Sequence, residues 1–148
     1  MSVTIRKAEP ADFPGIFKMI VDFAQFIRKP EYVQISPEQM EQDKDHFNCL
    51  IATDNDKIIG FATYFFAYYS WTGRAVYLDD LYVIESYRGT GIGSRLFDAV
   101  YELGRAKGCK NMKWQVSNWN TRAIAFYKQR GAQIDDIEIN CNLKIPQQ

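Results

Sequence analysis

The sequence predicts an α/β (α+β) fold of one domain spanning residues 1–148, and three observations lead to this prediction. The chain has 148 residues, 47% of them apolar, which is enough to bury one core. Residues 49–53 and 58–69 are rich in β-branched and aromatic side chains and flank the turn sequence Asp54, Asn55, Asp56, which predicts a β-hairpin. Residues 93–107 repeat apolar side chains at helical spacing, which predicts an amphipathic helix.

The first third of the chain predicts one strand followed by two helices. Val3–Lys7 alternates as a short strand does. A helix is predicted after the acidic residues of 9–12 from the spacing of Phe13, Ile16, Phe17, Ile20 and Phe23. Ser36 and Pro37 predict a second helix start, because serine caps helices and proline suits the first turn; Gln39 is placed to complete a capping box.

The rest of the chain alternates strands with helices. Strands are predicted over Ala75–Ile84 and Asn111–Val116, and one or two final strands over Ile134–Leu143. Helices are predicted over Gly93–Lys107 and over the segment from Asn120 to Gly131. Gly108 and Gly131 stand where the two helices are expected to end, because glycine adopts the left-handed conformation common at that position.

The composition excludes several classes of function. The 18 Lys and Arg residues balance the 18 Asp and Glu residues, so no global charge draws the chain to nucleic acid or to an anionic membrane. The three cysteines are widely spaced and lack a CxxC pair, which argues against a disulfide framework or a zinc site. We therefore expect no metal and a cytoplasmic protein. No apolar run approaches the length that spans a bilayer.

A cluster of three glycines lies between the predicted strand 75–84 and the helix after it. Glycine lets the backbone approach an anion closely, and the N–H groups at a helix N-terminus favour negative charge. An arginine adds a formal positive charge. The segment therefore predicts a phosphate site over Arg88, Gly89, Thr90, Gly91, Ile92, Gly93 and Ser94. An ordinary flexible connection between strand and helix is the alternative.

Two common phosphate motifs are absent from the sequence. There is no GxxxxGK[ST], which disfavours a nucleoside triphosphate. Ser94 stands where the third glycine of GxGxxG would fall, which disfavours a dinucleotide. The ligand of the predicted phosphate site is therefore of another kind.

Two motifs in this order resemble the GNAT superfamily of N-acetyltransferases. The run Arg88-x-x-Gly91-x-Gly93 after a strand is similar to that family's coenzyme A pyrophosphate loop. The second motif is similar to the family's later helix and comprises Trp119, Asn120, Ala123, Phe126, Tyr127, Lys128, Arg130, Gly131 and Ala132. The resemblance implies the GNAT fold, a central mixed, mostly antiparallel twisted sheet of six to seven strands flanked by four helices.

More narrowly, the chain resembles the diamine (spermidine/spermine) N-acetyltransferase branch, which includes enzymes that acetylate thialysine and related small amines. The matching positions are Trp71, Gly73, Tyr77, Leu78, Asp80, Val83, Tyr87 to Gly89, Gly91 to Ser94, and Trp119 to Tyr127. The resemblance implies transfer of an acetyl group from acetyl-CoA to the primary amine of a diamine, polyamine or thialysine-like molecule, by direct attack in a ternary complex. It also implies a homodimer.

The resemblance further implies which residues hold acetyl-CoA. Beyond the glycine cluster they are Leu81, Tyr82, Val83, Asn120, Ala123, Phe126, Tyr127 and Lys128. Asn120 has two compatible roles, because it can cap the helix that it starts and its counterpart in the family reaches the pantetheine arm. A backbone amide of the strand 80–83 is the implied oxyanion donor.

Amide formation from a thioester requires a base, an oxyanion donor and an acid. An alkylammonium has a pKa near about 10.4 and must lose a proton before attack. Asp79 and Asp80 are candidates for this base and for amine binding, and strand alternation predicts that only one of them faces the amine. The resemblance implies Asp79, acting through water, although the branch usually carries glutamate there. It implies Tyr127 as the acid that protonates the thiolate. The alternative for Asp79 and Asp80 is that they are solvated or ion-paired carboxylates without a role in the reaction. The alternative for Tyr127 is a tyrosine that packs at the edge of the core.

The acceptor pocket is less sharply predicted. By resemblance Trp71 lines it, while Lys113 stands where the branch often has histidine and Ile27 where it tends to place an acid. A long polycation is therefore less favoured, and a small amine, or an amino-acid-like acceptor whose carboxylate meets Lys113 or Arg74, is at least as compatible with the sequence. Lys29 is expected to keep its charged head in water.

Two further functions remain compatible with the sequence. Acetylation of a protein N-terminus or lysine requires an open groove rather than a closed pocket. A module that binds acyl-CoA without turnover would sense the coenzyme rather than use it.

Overall fold

The computed structural model describes residues 2–147, which form two compact units divided between Gln115 and Val116. The first unit contains β1 Val3–Lys7, α1 Phe13–Phe26, α2 Pro37–Gln42, β2 Asn48–Asp54, β3 Lys57–Tyr69, β4 Gly73–Val83, α3 Ile92–Ala106 and β5 Asn111–Trp114. The second unit contains α4 Thr121–Gln129. The prediction of one domain over residues 1–148 stays a prediction.

The strands of the first unit form one mixed sheet in the order β1-β2-β3-β4-β5. The pairs β1–β2, β2–β3 and β3–β4 are antiparallel, and β4–β5 is parallel. The predicted fold class, a mostly antiparallel mixed sheet with four α-helices, is therefore confirmed for the described residues.

The predicted count of six to seven strands is wrong, because the described residues contain five. The missing strands were expected over Ile134–Leu143, a segment without regular structure. Its apolar side chains are exposed, Ile137 by 80% and Leu143 by 90%. Alternation indicates only a propensity, and a strand also needs a partner backbone. The described residues of the second unit supply no other strand, so the pattern has no partner within that unit.

Helices α1 and α3 pack on opposite faces of the sheet. Phe13, Ile16 and Met19 of α1 form one core cluster with Ile51 and Phe61 of the sheet. On the other face, α3 buries Leu96, Phe97 and Val100. The predicted amphipathic spacing of both helices therefore corresponds to their buried faces.

Helix α2 begins at the predicted cap. The Gln39 backbone N–H donates to Ser36 Oγ at 3.1 Å. The Gln39 side chain does not complete the capping box, because its Nε2 donates to Asp43 Oδ2 at 3.0 Å one turn further on.

The predicted hairpin turn is a two-residue loop. Asp54 pairs with Lys57, and Asn55 and Asp56 between them have φ angles of 49° and 69°. Two consecutive positive φ values define a type I′ turn, whose twist matches that of antiparallel strands.

Replacing Asp56 with glycine is expected to stabilise the first unit. The left-handed conformation costs a non-glycine residue about 1 kcal/mol of strain, which glycine avoids. Part of that gain is offset, because glycine also raises the conformational entropy of the unfolded chain. We expect the free energy of unfolding to rise by about 0.5 kcal/mol, measured by urea denaturation. Lys57→Gly, within β3, is the matched control and should lower the urea midpoint. A lower midpoint for Asp56→Gly would contradict this account of the turn.

Candidate active site

The two adjacent acids of β4 lie at a β-bulge. Thr63 of β3 pairs with Asp80 and Tyr64 pairs with Leu78, so Asp79 has no opposite residue. The Asp80 backbone N–H donates to Thr63 Oγ1 at 3.0 Å instead of continuing a regular ladder. One residue more on β4 than on β3 is the defining feature of a bulge.

The bulge reverses which residues of β4 face which helix. Val76, before the bulge, lies next to Gly104 of α3, and Val83, after it, lies next to Gly93 of the same helix. Side chains of a regular strand alternate between its two faces, so two residues seven positions apart would face opposite sides. Here both face α3, because the bulge between them shifts the alternation by one residue. Asp79 and Asp80 therefore both lie on the face of α1, and the prediction that alternation sends them to opposite faces is wrong.

A cavity of about 460 Å³ opens between α1, the segment after it and β4. Its lining comprises Ile20, Phe23, Ala24 and Ile27 of α1, then Lys29, residues 32–35, and Asp80. Asp80 is thus a carboxylate in a largely apolar cavity. Asp79 is not part of this lining and is exposed.

The environment of the two carboxylates makes them weaker acids than usual. Burial, and to a smaller extent the negative charge of Asp79, raises the pKa of Asp80 to about 7. The surrounding chain removes part of the hydration of the Asp79 carboxylate and so raises its pKa too, although the residue as a whole is exposed. A group that titrates near neutrality both accepts and releases a proton under working conditions, which suits a general base.

The glycine cluster connects β4 to α3 in a conformation that requires glycine. Gly89 and Gly91 have φ angles of 79° and 86°, in the left-handed region that disfavours other residues. A Cβ added at either position would meet no atom within 4 Å. The backbone at Gly89 and Gly91 is therefore open to a ligand, because no other atom occupies the space next to it.

The loop leads into the N-terminus of a long helix. Gly91 caps α3 without a side-chain hydrogen bond, and the Arg95 N–H donates to Gly91 O at 3.1 Å. The N–H groups of Ile92, Gly93 and Ser94 precede the first intrahelical bond and have no acceptor within the helix. These donors and the helix dipole suit an anion such as a pyrophosphate. Thr90 Oγ1 donates to Tyr87 O and tightens the loop.

The side chain of Arg88 lies along the end of β4. Its Nε donates to Val83 O at 2.8 Å, and its guanidinium lies 4.6 Å from the Phe26 ring and 5.4 Å from the Tyr82 ring. Arg88 therefore fixes the loop to β4 and to the end of α1, a role that the sequence motif did not indicate.

A second contact holds the loop from the other side. Tyr87 Oη donates to Asp54 Oδ2 at 2.6 Å, which ties the start of the glycine cluster to the β2–β3 hairpin. This pair is not predictable from the sequence, because the two residues are 33 positions apart and only the pairing of strands brings them together.

The far edge of β4 has unpaired backbone beyond Leu78. Strand β5 pairs with residues 75–78 only, although β4 continues to Val83. The N–H groups of Asp80 and Ile84 point towards β3, since they donate to Thr63 Oγ1 and Ile59 O. By alternation the N–H groups of Leu81 and Val83 point to the other edge, where β5 does not reach them.

The second unit contains the other motif. Asn120 Oδ1 accepts from the Ala123 N–H at 3.2 Å, so Asn120 caps α4 as predicted. Within the helix Tyr127 is buried, 8% exposed, and burial raises the pKa of its phenol. The Phe126 ring packs edge-on against Tyr127 with centroids 5.4 Å apart, and Lys128 is exposed.

Three residues expected at the acceptor pocket lie outside the lining of this cavity, and their proposed role stays a prediction. Trp71 is 98% exposed in the turn between β3 and β4. Lys113 Nζ lies 3.8 Å from the Tyr69 ring centroid, and Arg74 Nη1 donates to Lys107 O at 3.1 Å. The cation that does line the cavity is Lys29. Its role was not apparent from the sequence, because the turn that ends α1 brings it there.

Neither a metal site nor a membrane-spanning helix is present among the described residues 2–147. No group of three or more His, Cys, Asp or Glu side chains there is arranged to hold a metal ion. No helix of that range has the length and apolarity needed to cross a membrane.

A loop whose backbone N–H groups suit an anion and a cavity that contains a carboxylate thus lie in the same unit. The sequence profile of the Acetyltransferase (GNAT) family matches residues 13–132. The chain therefore belongs to the GNAT acetyltransferase family. This membership makes it an acetyl-CoA-dependent N-acetyltransferase.

Curated relatives support the narrower resemblance. Thialysine N-epsilon-acetyltransferase of Mus musculus is 37% identical over 144 residues, which cover 89% of this chain and 85% of that protein. Spermidine/spermine N(1)-acetyltransferase-like protein 1 of Homo sapiens is 34% identical over 86% of this chain and 20% of its own length.

Solved structures share the fold. An aminoglycoside acetyltransferase from an uncultured soil metagenomic sample, in complex with trehalose, has a TM-score of 0.80 at 20% identity, covering 96% of this chain and 97% of its own. An aminoglycoside N-acetyltransferase in complex with CoA has a TM-score of 0.78 at 19% identity, covering 97% and 96%. At this identity the likeness concerns the fold alone.

Proposed function

We propose that this protein transfers the acetyl group of acetyl-CoA to the primary amine of a small molecule. The observation that carries the proposal is the half-buried Asp80 carboxylate in an apolar cavity of about 460 Å³, in the same unit as the glycine loop. A cavity of this size suits a small ligand, and a carboxylate inside it suits an ammonium. The names of the curated relatives, which concern thialysine and polyamines, support the same acceptor class.

The glycine loop holds the coenzyme's pyrophosphate in this proposal. The donors are the backbone N–H groups around Gly89, Gly91 and the start of α3, while Arg88 keeps the loop in place. The unpaired edge of β4 at Leu81–Val83 supplies amides for the pantetheine arm and for the oxyanion. By resemblance, the remaining contacts come from Asn120, Ala123, Phe126, Tyr127 and Lys128.

The reaction starts with the acceptor's ammonium bound at Asp80. Asp80 takes a proton from the ammonium, and Asp79, its neighbour on the same face, orders the water through which that proton leaves. The neutral amine attacks the thioester carbonyl carbon and forms a C–N bond. The oxyanion of the tetrahedral intermediate is stabilised by an amide of Leu81 or Val83. The C–S bond then breaks, and the coenzyme leaves as a thiolate.

Tyr127 supplies the proton that the thiolate takes up. Burial raises the pKa of this phenol above its usual value, so it stays protonated at neutral pH and serves as an acid. The departing thiolate accepts the proton and coenzyme A is released as the free thiol. The nitrogen of the new amide gives up its remaining extra proton to water, the Tyr127 phenolate takes one back from water, and the proton held by Asp80 is released to solvent, so that one proton is set free in each turnover. The products are one acetylated amine and one thiol for each acetyl-CoA.

Replacing Gly91 with alanine is expected to weaken acetyl-CoA binding. At φ 86° a Cβ costs about 1 kcal/mol of backbone strain, and its methyl group enters the space left for the anion. We expect the dissociation constant for acetyl-CoA to rise about tenfold or more, measured by calorimetry. Gly73→Ala is the matched control, since Gly73 has φ 85° and equally open surroundings in another turn. Equal effects of the two substitutions would contradict the anion site.

The proposed function is tested with purified protein, acetyl-CoA and a panel of amines, by following thiol release. The panel contains thialysine, lysine, putrescine, spermidine, an aminoglycoside and a basic peptide. Turnover of small amines in preference to the peptide supports the proposal. Selective turnover of the peptide would contradict it, and acetyl-CoA binding without turnover of any amine would leave a sensor as the better account.

We also propose a homodimer in the cytoplasm. The exposed apolar side chains of Ile137, Ile139, Leu143 and Ile145 support the dimer, because such a run is commonly covered by a partner. The three free cysteines support a reducing compartment. Sedimentation analysis tests the assembly, and a monomer at micromolar concentration would contradict it.

A further inference from the structure

The cavity beside Asp80 has two charged side chains of opposite sign in its lining. Asp80 lies on β4, and Lys29 lies just after the end of α1. The other lining residues carry no formal charge, and most of them are apolar. A ligand of this cavity therefore meets one negative and one positive group, joined by an apolar wall.

The end of α1 fixes the backbone of Lys29. The Arg28 N–H donates to Gln25 O at 3.1 Å, and the Lys29 N–H donates to Ala24 O at 2.8 Å. With Arg28 at φ 66°, this pair of bonds is a Schellman motif, and Pro30 prevents the helix from continuing. The position of Lys29 at the cavity is thus set by the fold rather than by a flexible loop.

The Lys29 ammonium has no acidic partner among the described residues. Its Nζ lies 5.5 Å from the ring centroid of Tyr32, which lines the same cavity. The side-chain ion pairs of the described chain involve other residues. Lys29 therefore remains available to bind an anionic group of a ligand.

A polyamine is a poor match to this charge arrangement. Each of its ammonium groups needs an acidic partner when it loses water. The lining offers one carboxylate, Asp80, and a second ammonium in the same cavity would meet the like charge of Lys29. A ligand with one terminal amine and one carboxylate satisfies both charges, and Phe23 and Ile27 of the same lining offer apolar surface to its methylene arm.

We propose that Lys29 determines the acceptor by binding the carboxylate of an amino acid whose side chain ends in a primary amine, while Asp80 receives that amine. Lys29 thereby also disfavours diamines and polyamines. The inference rests on the proposed transfer of acetyl to a small amine. Thialysine, which the name of the mouse relative contains, is an amino acid of this kind, and the inference adds the residue that selects it.

The test compares two pairs of amines that differ only in the carboxylate, lysine with cadaverine and ornithine with putrescine. For the wild-type protein we expect kcat/KM to be about tenfold or more higher for each amino acid. Fragmentation mass spectrometry verifies that the acetyl group is on the terminal nitrogen. Lys29→Gln should lower kcat/KM for lysine about tenfold, through KM, and raise it for cadaverine. Lys29→Glu should reverse the preference.

Lys18→Gln is the matched control, because Lys18 is exposed on α1 and does not line the cavity. This variant should keep the wild-type ratio of lysine to cadaverine. Diamine turnover equal to that of the amino acids, or a ratio unaffected by Lys29→Gln and Lys29→Glu, would overturn the role of Lys29 while leaving acetyl transfer intact. Absence of turnover with every amine, despite acetyl-CoA binding, would overturn the proposed function and this inference with it.

Discussion

Asp80→Asn is expected to lower kcat/KM for the amine acceptor by at least about a hundredfold, because it removes both the ammonium's partner and the proton acceptor. The wild-type kcat/KM should rise with pH through about 7, where Asp80 loses its proton, and the variant should lack this inflection. Steady-state kinetics between pH 5.5 and pH 9, at saturating acetyl-CoA, measure both effects.

The same substitution is expected to stabilise the protein. Because Asp80 binds its proton more tightly when folded than when unfolded, its ionisation opposes folding. This component of wild-type stability is present in acid and is lost as pH rises from about 4 to about 7. Asp80→Asn should avoid that loss and raise the free energy of unfolding at pH 8 by about 2 to 4 kcal/mol.

Two substitutions serve as controls for Asp80. Asp45→Asn, at an exposed position in the short turn before β2, should leave activity and stability unchanged. Asp79→Asn should shift the inflection of the pH profile to lower pH, since the charge of Asp79 raises the pKa of Asp80. If Asp80→Asn keeps the wild-type pH profile of kcat/KM, Asp80 takes no part in the reaction. If its free energy of unfolding is unchanged or lower, ionisation of Asp80 does not oppose folding.

Tyr127→Phe is expected to lower kcat about a hundredfold, because the thiolate then leaves without an acid to protonate it. The ring is kept, so the dissociation constant for acetyl-CoA should stay within about twofold of the wild-type value. The wild-type kcat should hold on the alkaline side until pH passes the raised pKa of the phenol, above which the acid form is lost. Rapid-quench kinetics and calorimetry separate the chemical step from binding.

Tyr101→Phe is the matched control, since Tyr101 is a half-exposed tyrosine of α3 with no proposed role in the reaction. It should have the wild-type kcat. An unchanged kcat in Tyr127→Phe would remove the phenol from the mechanism, and a large loss of acetyl-CoA affinity would make it a binding residue instead.

Local features of the site were predictable from the sequence. The left-handed conformations of Gly89 and Gly91 and the helix that follows them are properties of a short segment, which is why the sequence predicts them. The cap at Asn120 and the hairpin turn at Asn55 and Asp56 are local in the same sense. These predictions required no knowledge of which strands pair.

Features that depend on pairing were not predictable from the sequence. The bulge at Asp79 arises from the register of β4 against β3, and no residue type announces it. It brings two adjacent acids to one face, against the simple alternation rule. The strand expected at Ile134–Leu143 is absent for a related reason. Its alternating pattern suits a strand, but the described residues of its unit contain no strand with which it could pair.

The acceptor pocket shows how a helix end changes the interpretation of a charge. Lys29 follows Arg28 in the sequence and was expected to have its charged head in water. Lys29 is indeed exposed, but the Schellman turn places it in the lining of the cavity that also contains Asp80. Whether an exposed lysine faces bulk solvent or a ligand cavity depends on tertiary structure.

The most direct test of acetyl transfer is the stoichiometry of its two products. Wild-type protein is incubated with acetyl-CoA and lysine, the free thiol is titrated, and the acetylated amine is quantified by mass spectrometry against an isotopic standard. The proposed reaction predicts one acetylated amine for each thiol released, with no thiol release when the amine is omitted. Thiol release without an acetylated amine would show hydrolysis of the thioester and would contradict the proposed function.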